Sequence, residues 1–306
     1  MAAYLLRRGI YTLLSLWVIV SAVFFMLRLA PGGPFDSERA LPPEVEANLM
    51  AAYNLDAPLY VQYGRFLGDL TRGDFGPSFT QKDFSVAELI GAGLPTSLAL
   101  GIGALSLALS VGLALGTFCG RRTGSFADGI LMSITNVSLA LPPIITGPIL
   151  ILVFAVTLSW LPSGGSGSAG HLLLPVIALA LPYIAAIARL IRGAVAEAAR
   201  EQFIVTAYAK GIGRQRILWH HIMPTAAIPL VSFLGPAAAG LLTGSVVVEQ
   251  IFDLPGIGRY FVQAALNRDY TLVMGVAVIY AMAILFFNLL VDLAYGVLDP
   301  RIRFDR

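Results

Sequence analysis

The chain has 306 residues, 57% of them hydrophobic and only 12% charged, about half the charged share of a soluble domain. A formal net charge of +2 leaves no electrostatic footprint for nucleic acid. The single cysteine, Cys119, sits inside an apolar run, so it excludes a disulfide scaffold and reads as a core residue of an all-α polytopic membrane protein.

The first apolar run, about Gly9 to Leu29, follows Arg7 and Arg8 and is long enough to cross a bilayer. Its apolar stretch is too long for a signal peptide and no small-residue cleavage site follows, so an uncleaved first helix over residues 1–29 is expected. Residues 30–93 form the longest polar region and hold half of the carboxylates. There Leu41, Pro42, Pro43 and Glu44 read as a helix start, with Glu44 and Glu46 favourable at the positive end of the dipole. A second helix from Pro58 would place Leu59, Tyr63, Phe66, Leu67 and Leu70 on one face, with Gln62, Arg65 and Asp69 opposite. Gly73 to Ser78 is a turn cluster. Such a region buries little core alone; short amphipathic helices on the outer membrane face and against a partner subunit are expected.

Residues 94–306 read as five more spans: about Leu94–Cys119, Ile130–Trp160, Leu172–Ile191, Ala226–Val248 and Leu272–Val297, six crossings in all. Between the third and fourth lies an uncharged link, Pro162 to Gly170, expected to be flexible. Pro142, Pro143, Pro148, Pro175 and Pro182 interrupt the spans, either tolerated by neighbouring helices or kinking them around a path. Thirteen basic residues, among them Arg7, Arg8, Arg121, Arg122, Arg189, Arg192, Lys210, Arg214 and Arg301, fall on one side of this arrangement. Positive charge marks the cytoplasmic side, which puts both termini there.

On that side lies Glu201 to Pro224, the longest compact polar run between spans. Phe203, Ile204, Ala207 and Tyr208 mark one face of a short helix, and Gly211 is placed to end it in a left-handed cap beside Lys210. Ile217, Leu218, Ile222 and Met223 repeat the pattern, and Pro224 opens the next run. On spacing alone this is an amphipathic helix-turn-helix at the membrane surface, or simply a basic connecting loop.

Catalytic chemistry is hard to place. There is no phosphate-cradling glycine loop, no nucleophile with an oriented base, and no metal-ligand spacing. His220 and His221 are adjacent and so diverge on a helix, and His171 stands by itself. Asp292 is the one carboxylate well inside a span, one turn after Asn288. The two form either a polar helix–helix clamp or a lining of a path. Glu249 to Gly258, with Phe252, Pro255 and Gly256, reads as a tight loop or as a re-entrant, gate-forming segment at the outer mouth. A membrane-embedded protease would need paired carboxylates or a Ser/His pair at membrane depth, and a proton-coupled carrier a chain of ionisable groups; Asp292 alone meets neither need.

The run from Phe203 to Gly211 resembles the cytoplasmic signature of ABC-importer permeases, the EAA loop, whose glycine is followed thirteen residues on by a proline; Gly211 and Pro224 meet that pattern. Val205, Thr206 and Ala207 stand where Glu-Ala-Ala is usual, and Tyr208 where arginine is. Ala30–Pro34, Gly73–Ser78, Trp160–Gly164, Glu249–Gly258, Asn267–Tyr270 and Asp299–Arg303 resemble further signatures of the peptide, dipeptide and nickel branch, in the same order. The first loop, with Glu38 to Val45, is most similar to the B subunit of bacterial oligopeptide permeases. The resemblance implies a type I, MetI-like permease fold with a cytoplasmic coupling helix in a bacterial inner membrane. It implies no cofactor in this chain, ATP being bound by two partner ATPase subunits. A second, homologous permease and an external peptide-binding protein complete the implied complex. It also implies that Thr206, Ala207, Tyr208, Lys210, Gly211, Arg214 and Pro224 form the surface that meets an ATPase.

Overall fold

Long apolar runs become helices because lipid offers no partner to an unbonded backbone group. A computed structural model describes residues 2–29, 50, 55–81 and 83–298, and the named elements are all helical. The readings placed on Ala30–Pro34, Glu38–Val45, the helix start at Leu41 and Asp299–Arg303 lie outside the described residues. Among the described residues, five helices are long and apolar enough to cross a membrane, six crossings if one bent pair counts as a span.

Helix α1 (Ala2–Leu29) crosses first, and α2 (Leu59–Leu70) is the short amphipathic helix expected from Pro58. Phe24 of α1 packs on Tyr63 and Phe66 of α2, and the Ser21 and Tyr63 hydroxyls share a hydrogen bond. Gln62 was expected on the outward face; instead its amide turns inward to the carbonyls of Leu55 and Ala57.

Helix α3 (Val86–Arg121) starts at a full capping box, the Ser85 hydroxyl accepting from the Glu88 amide while the Glu88 carboxylate accepts from Ser85. The division expected at residue 93 therefore falls inside a helix, because the polar cap precedes the rise in hydropathy. At 36 residues α3 is about 54 Å long, more than a hydrocarbon core needs. It packs along α6 (Gly170–Ala198) through Gly112, Gly116 and Gly120, where an added Cβ would lie 2.8, 2.7 and 2.8 Å from side-chain atoms of Ile187, Ile191 and Val195. One small residue per turn lets the two backbones close up.

The third crossing departs from the expected single span. Helix α4 (Phe126–Ala140) and helix α5 (Pro143–Leu150), continued by a π-helical stretch Ile151–Thr157, meet at 106°. Pro142 is extended and Pro143 takes the first helical position, so the chain restarts rather than kinks. At 15 residues α4 is about 22 Å long, too short to cross unaided. Its start is tied to α6 by Asp128, 2% exposed, which accepts both Nε and Nη2 of Arg192 at 2.6 and 2.7 Å.

After α6 come α7 (Gln202–Ala209), α8 (Arg214–Ile217), α9 (Met223–Ile251), α10 (Ile257–Leu266) and α11 (Tyr270–Leu298). The start of α1 pairs with the far end of α11, and the ends of α3 and α6 lie together. One face therefore carries the α7 turn, and the opposite face carries α2, α10 and the loops beside them. The core lies mainly between α3, α6 and α9.

Candidate functional site

The α7 turn is built by its hydrogen bonds. The Ile212 N–H donates to the Ala207 carbonyl at 3.2 Å and the Gly211 N–H to Tyr208 at 2.9 Å, the paired bonds of a Schellman cap. Gly211 has φ +78°, as a left-handed cap requires, and an added Cβ would meet nothing within 4 Å. Its glycine is needed for backbone conformation alone. Underneath, Ile204 and Ala207 are buried with Ile217, Leu218 and Ile222 in the main core. The four-residue apolar face expected there divides: Phe203 and Tyr208 are 46% and 48% exposed, and Val205 62%. A two-turn helix seats only the narrow Ile204–Ala207 stripe. Ala207, expected in the contact surface, is thus its footing, while Thr206, Tyr208 and Lys210 face outward.

The second half of the element is not a short helix. Helix α8 runs through a π-helical stretch, Leu218–Ile222, into α9, so Arg214–Ile251 is one continuous rod. Pro224 sits inside that rod and does not open a new run. Proline removes an N–H and crowds the carbonyl four residues back, and the widened π turn just before it absorbs the misfit. Arg214 and Arg216 are exposed in the first turn of α8, where the helix dipole disfavours positive charge.

On the opposite face, the segment read either as a tight loop or as a re-entrant, gate-forming stretch is a packed corner. Glu249, fully buried near the end of α9, accepts from the Ser97 hydroxyl at 2.7 Å and from the Gly258 and Arg259 amides at 2.8 and 3.2 Å. It therefore caps the start of α10, and the Ser97 hydroxyl also accepts the Ile257 amide at 2.9 Å. Gly256 is required by contact, since a Cβ there would lie 2.2 Å from Glu249 Oε2. Phe252 is buried, Pro255 half-buried.

The uncharged link expected to be flexible is pinned to this corner. The Gly165 N–H donates to the Phe252 carbonyl at 2.8 Å, and a Cβ on Gly164 would lie 2.1 Å from that oxygen. Nearby, buried Asp269 accepts from Ser78, Thr80, Thr271 and the Leu272 amide, tying the Gly73–Ser78 turn to the start of α11. Burial would raise the Asp269 pKa, but the hydrogen bonds from Ser78 and the Leu272, Thr80 and Phe79 amides outweigh it and hold the carboxyl below its ordinary value. Neither Ser97 nor Ser78 stood out in the sequence as a functional residue.

Asn288 and Asp292 do face neighbouring helices, but different ones. Asp292 forms an ion pair with Arg8 of α1, while Asn288 Oδ1 lies 3.1 Å from where a Cβ on Gly235 of α9 would be. Arg8 had been read only as a marker of topology. Among the described residues no group of three or more His, Cys, Asp or Glu is placed to hold a metal.

Residues 112–304 match the family described as binding-protein-dependent transport system inner membrane component. The oligopeptide transport system permease protein OppB of Haemophilus influenzae is 44% identical over 306 residues, covering 99% of this chain and 100% of that one. OppB of Escherichia coli is 42% identical with the same coverage. The dipeptide transport system permease protein DppB of Bacillus subtilis is 38% identical, covering 100% of this chain and 99% of that one. Among solved structures, the inward-facing MetNI methionine ABC transporter aligns with TM-score 0.53 at 19% identity, over 70% of this chain and 94% of that one. An amino acid ABC transporter solved with histidines aligns at TM-score 0.51 and 22% identity, over 69% and 94%. Those likenesses give the fold, that of an ABC-importer permease. By its family match and its full-length relatives, the chain belongs to the binding-protein-dependent transport system inner membrane components, the membrane-spanning permeases of importers rather than enzymes.

Proposed function

We propose that this chain is one of two homologous permeases in an ATP-driven oligopeptide importer of a bacterial inner membrane. Two ATPase subunits sit on the α7 side and a peptide-binding protein on the other. The observation that carries this reading is the α7 turn. Its footing, Ile204 and Ala207, is buried in the core, its aromatic and basic side chains are exposed, and it leads directly into a membrane-crossing helix that starts at Arg214. An ATPase gripping Phe203, Thr206, Tyr208, Lys210 and Arg214 would move α9 and the Glu249 corner at its far end. Gly211, Ala207 and Pro224 shape that surface without forming it. The positive side chains around the turn support a cytoplasmic α7 face, with both termini on that side. Helix α1 then adds a peripheral span, α2 and the Gly73–Ser78 turn cover the outer face, and the permease core starts with α3. ATP binds to the ATPase partners, not to this chain.

The relatives' names favour oligopeptides, with dipeptides as the second reading from the Bacillus subtilis relative. The test is uptake into proteoliposomes holding the complete complex, supplied with binding protein and labelled peptides of two to five residues. ATP-dependent entry that favours the longer peptides is expected. Entry favouring dipeptides would move the substrate to the second reading, and entry without ATP would overturn the importer assignment.

A further inference from the structure

Two arginines of α6 lie one turn apart and meet α4 in different ways. Arg192 is neutralised, since the Asp128 carboxylate accepts from its Nε and Nη2 at 2.6 and 2.7 Å. Arg189 is exposed. Among the described residues its guanidinium makes one hydrogen bond, a long one in which Nη1 donates to Asn136 Oδ1 at 3.4 Å. Asparagine orients the group without cancelling its charge.

Depth makes that charge informative. Asp128 stands in the first turn of α4, soon after Arg121 and Arg122, and Asn136 lies about 12 Å further along the helix. A long basic side chain near the end of a span ordinarily sends its head outward to the polar boundary. Arg189, one turn deeper than Arg192, reaches toward Asn136 instead. A charge held at membrane depth faces water or the bundle interior rather than lipid. The faces of α4 agree with this. Ile130, Ile134 and Val137, 44%, 57% and 60% exposed, form a stripe suited to lipid or to an apolar neighbour. The stripe beside it, Gly129, Ser133, Asn136 and Ala140, is also exposed yet small or polar. An added Cβ at Gly129, or at Gly193 one turn beyond Arg189, would meet nothing within 4 Å, so this side is open.

We propose that the polar side of α4 and α6 borders the route of the solute, and that Arg189 holds the C-terminal carboxylate of the passing peptide. The guanidinium fork donates to the two carboxylate oxygens, and Asn136 is the positioning residue that aims it. The stripe itself carries no competing carboxylate, and Asp128 is committed to Arg192. Every peptide with a free C-terminus offers this anion whatever its sequence, so one fixed cation serves many solutes. A contact open to water is also weak enough to release them. The inference rests on the importer reading above and adds a solute-contacting residue to it.

The test is ATP-driven uptake by the complete complex in proteoliposomes, with one tripeptide supplied as the free acid and as its C-terminal amide. The same binding protein delivers both peptides to every variant, so its own preference cancels when acid-to-amide rate ratios are compared. Arg189→Gln should lower that ratio about tenfold relative to wild type. Asn136→Asp is isosteric and gives Arg189 a carboxylate of its own, so it should lower the ratio as well, even if the Gln variant fails to assemble. Arg189→Lys, which keeps the charge, should keep most of the ratio. An unchanged ratio in the Gln and Asp variants would overturn the inference. So would an equal fall for acid and amide, which would assign Arg189 to assembly or to a lipid phosphate. A wild-type complex that imports neither peptide would instead sink the importer reading on which the inference rests.

Discussion

Replacing Gly211 isolates a single physical variable. The residue has φ +78° and an added Cβ would meet nothing within 4 Å, so substitutions differ only in what they do to the backbone. An ordinary L-residue in the left-handed region costs roughly 1–2 kcal/mol, asparagine less, and a β-branched residue more. The Schellman bonds to Ala207 and Tyr208 break when the turn opens, but on an exposed turn water takes up the freed carbonyls, so the cost stays local. At about 1.4 kcal/mol per tenfold, Gly211→Ala should leave the capped turn several-fold less populated and Gly211→Val about thirtyfold or more, with Gly211→Asn close to wild type. Insertion and pairing of the permeases lie outside this turn and should be unchanged. The assay is ATP hydrolysis by the reconstituted complex with and without peptide-loaded binding protein. Stimulation should fall in the order Asn, Ala, Val while the permease pair still purifies intact. Wild-type stimulation in the Val variant would refute the reasoning and reduce the turn to a connector.

Glu249→Ala should destabilise the purified complex by about 2–4 kcal/mol, since it strands the buried Gly258 amide, the half-buried Arg259 amide and the Ser97 hydroxyl; Glu249→Gln, which keeps an acceptor, should cost clearly less, and equal thermal unfolding of the two would refute the capping role. At Asp292, asparagine should leave assembly and transport nearly intact because it still accepts from Arg8, whereas leucine should lower the yield of folded complex by leaving Arg8 unpaired. Adding Arg8→Leu to Asp292→Leu should restore much of that yield, and loss of transport in a fully assembled Asn variant would show that the charge itself is needed. The folded pKa of Asp269 lies below its ordinary value of 3.8, so its contribution is full above that value and is lost as pH falls through the depressed folded one. Thermal unfolding should therefore separate wild type from Asp269→Asn at pH 7 and bring them together in stronger acid; a gap that widens as pH falls would contradict the assignment.

What could be read from the sequence was local. Gly211 announced its cap because a short apolar pattern, a lysine and a glycine follow each other within one turn. The spans were legible because hydropathy integrates over some twenty residues. The same integration hid the bend in the third crossing: an apolar sum has no direction, and Pro142–Pro143 was read as an interruption within one span when it separates two helices. The Pro162–Gly170 link looked loose by composition, yet glycines at 164 and 165 are what allow the chain to lie against the Phe252 carbonyl. The partners that turn Glu249, Asp269 and Asp292 into fixed points, namely Ser97, Ser78 and Arg8, lie far away along the chain. Nothing in one sequence couples such positions. Ala207 shows a finer limit, since periodicity placed it on the apolar stripe but could not say that the stripe faced the core rather than the partner.

The claim that most of this account rests on is that the α7 turn is gripped by an ATPase subunit. A photo-crosslinking amino acid at Val205 or at Tyr208, 62% and 48% exposed, samples that surface, and one at Leu266, 78% exposed at the end of α10, samples the opposite face. In membranes containing the whole complex, irradiation should join the first two positions to an ATPase subunit, with the yield changing when ATP is added, and should leave Leu266 free of it. Crosslinking of an ATPase to Leu266, or its absence from both α7 positions in a complex that hydrolyses ATP normally, would contradict the account.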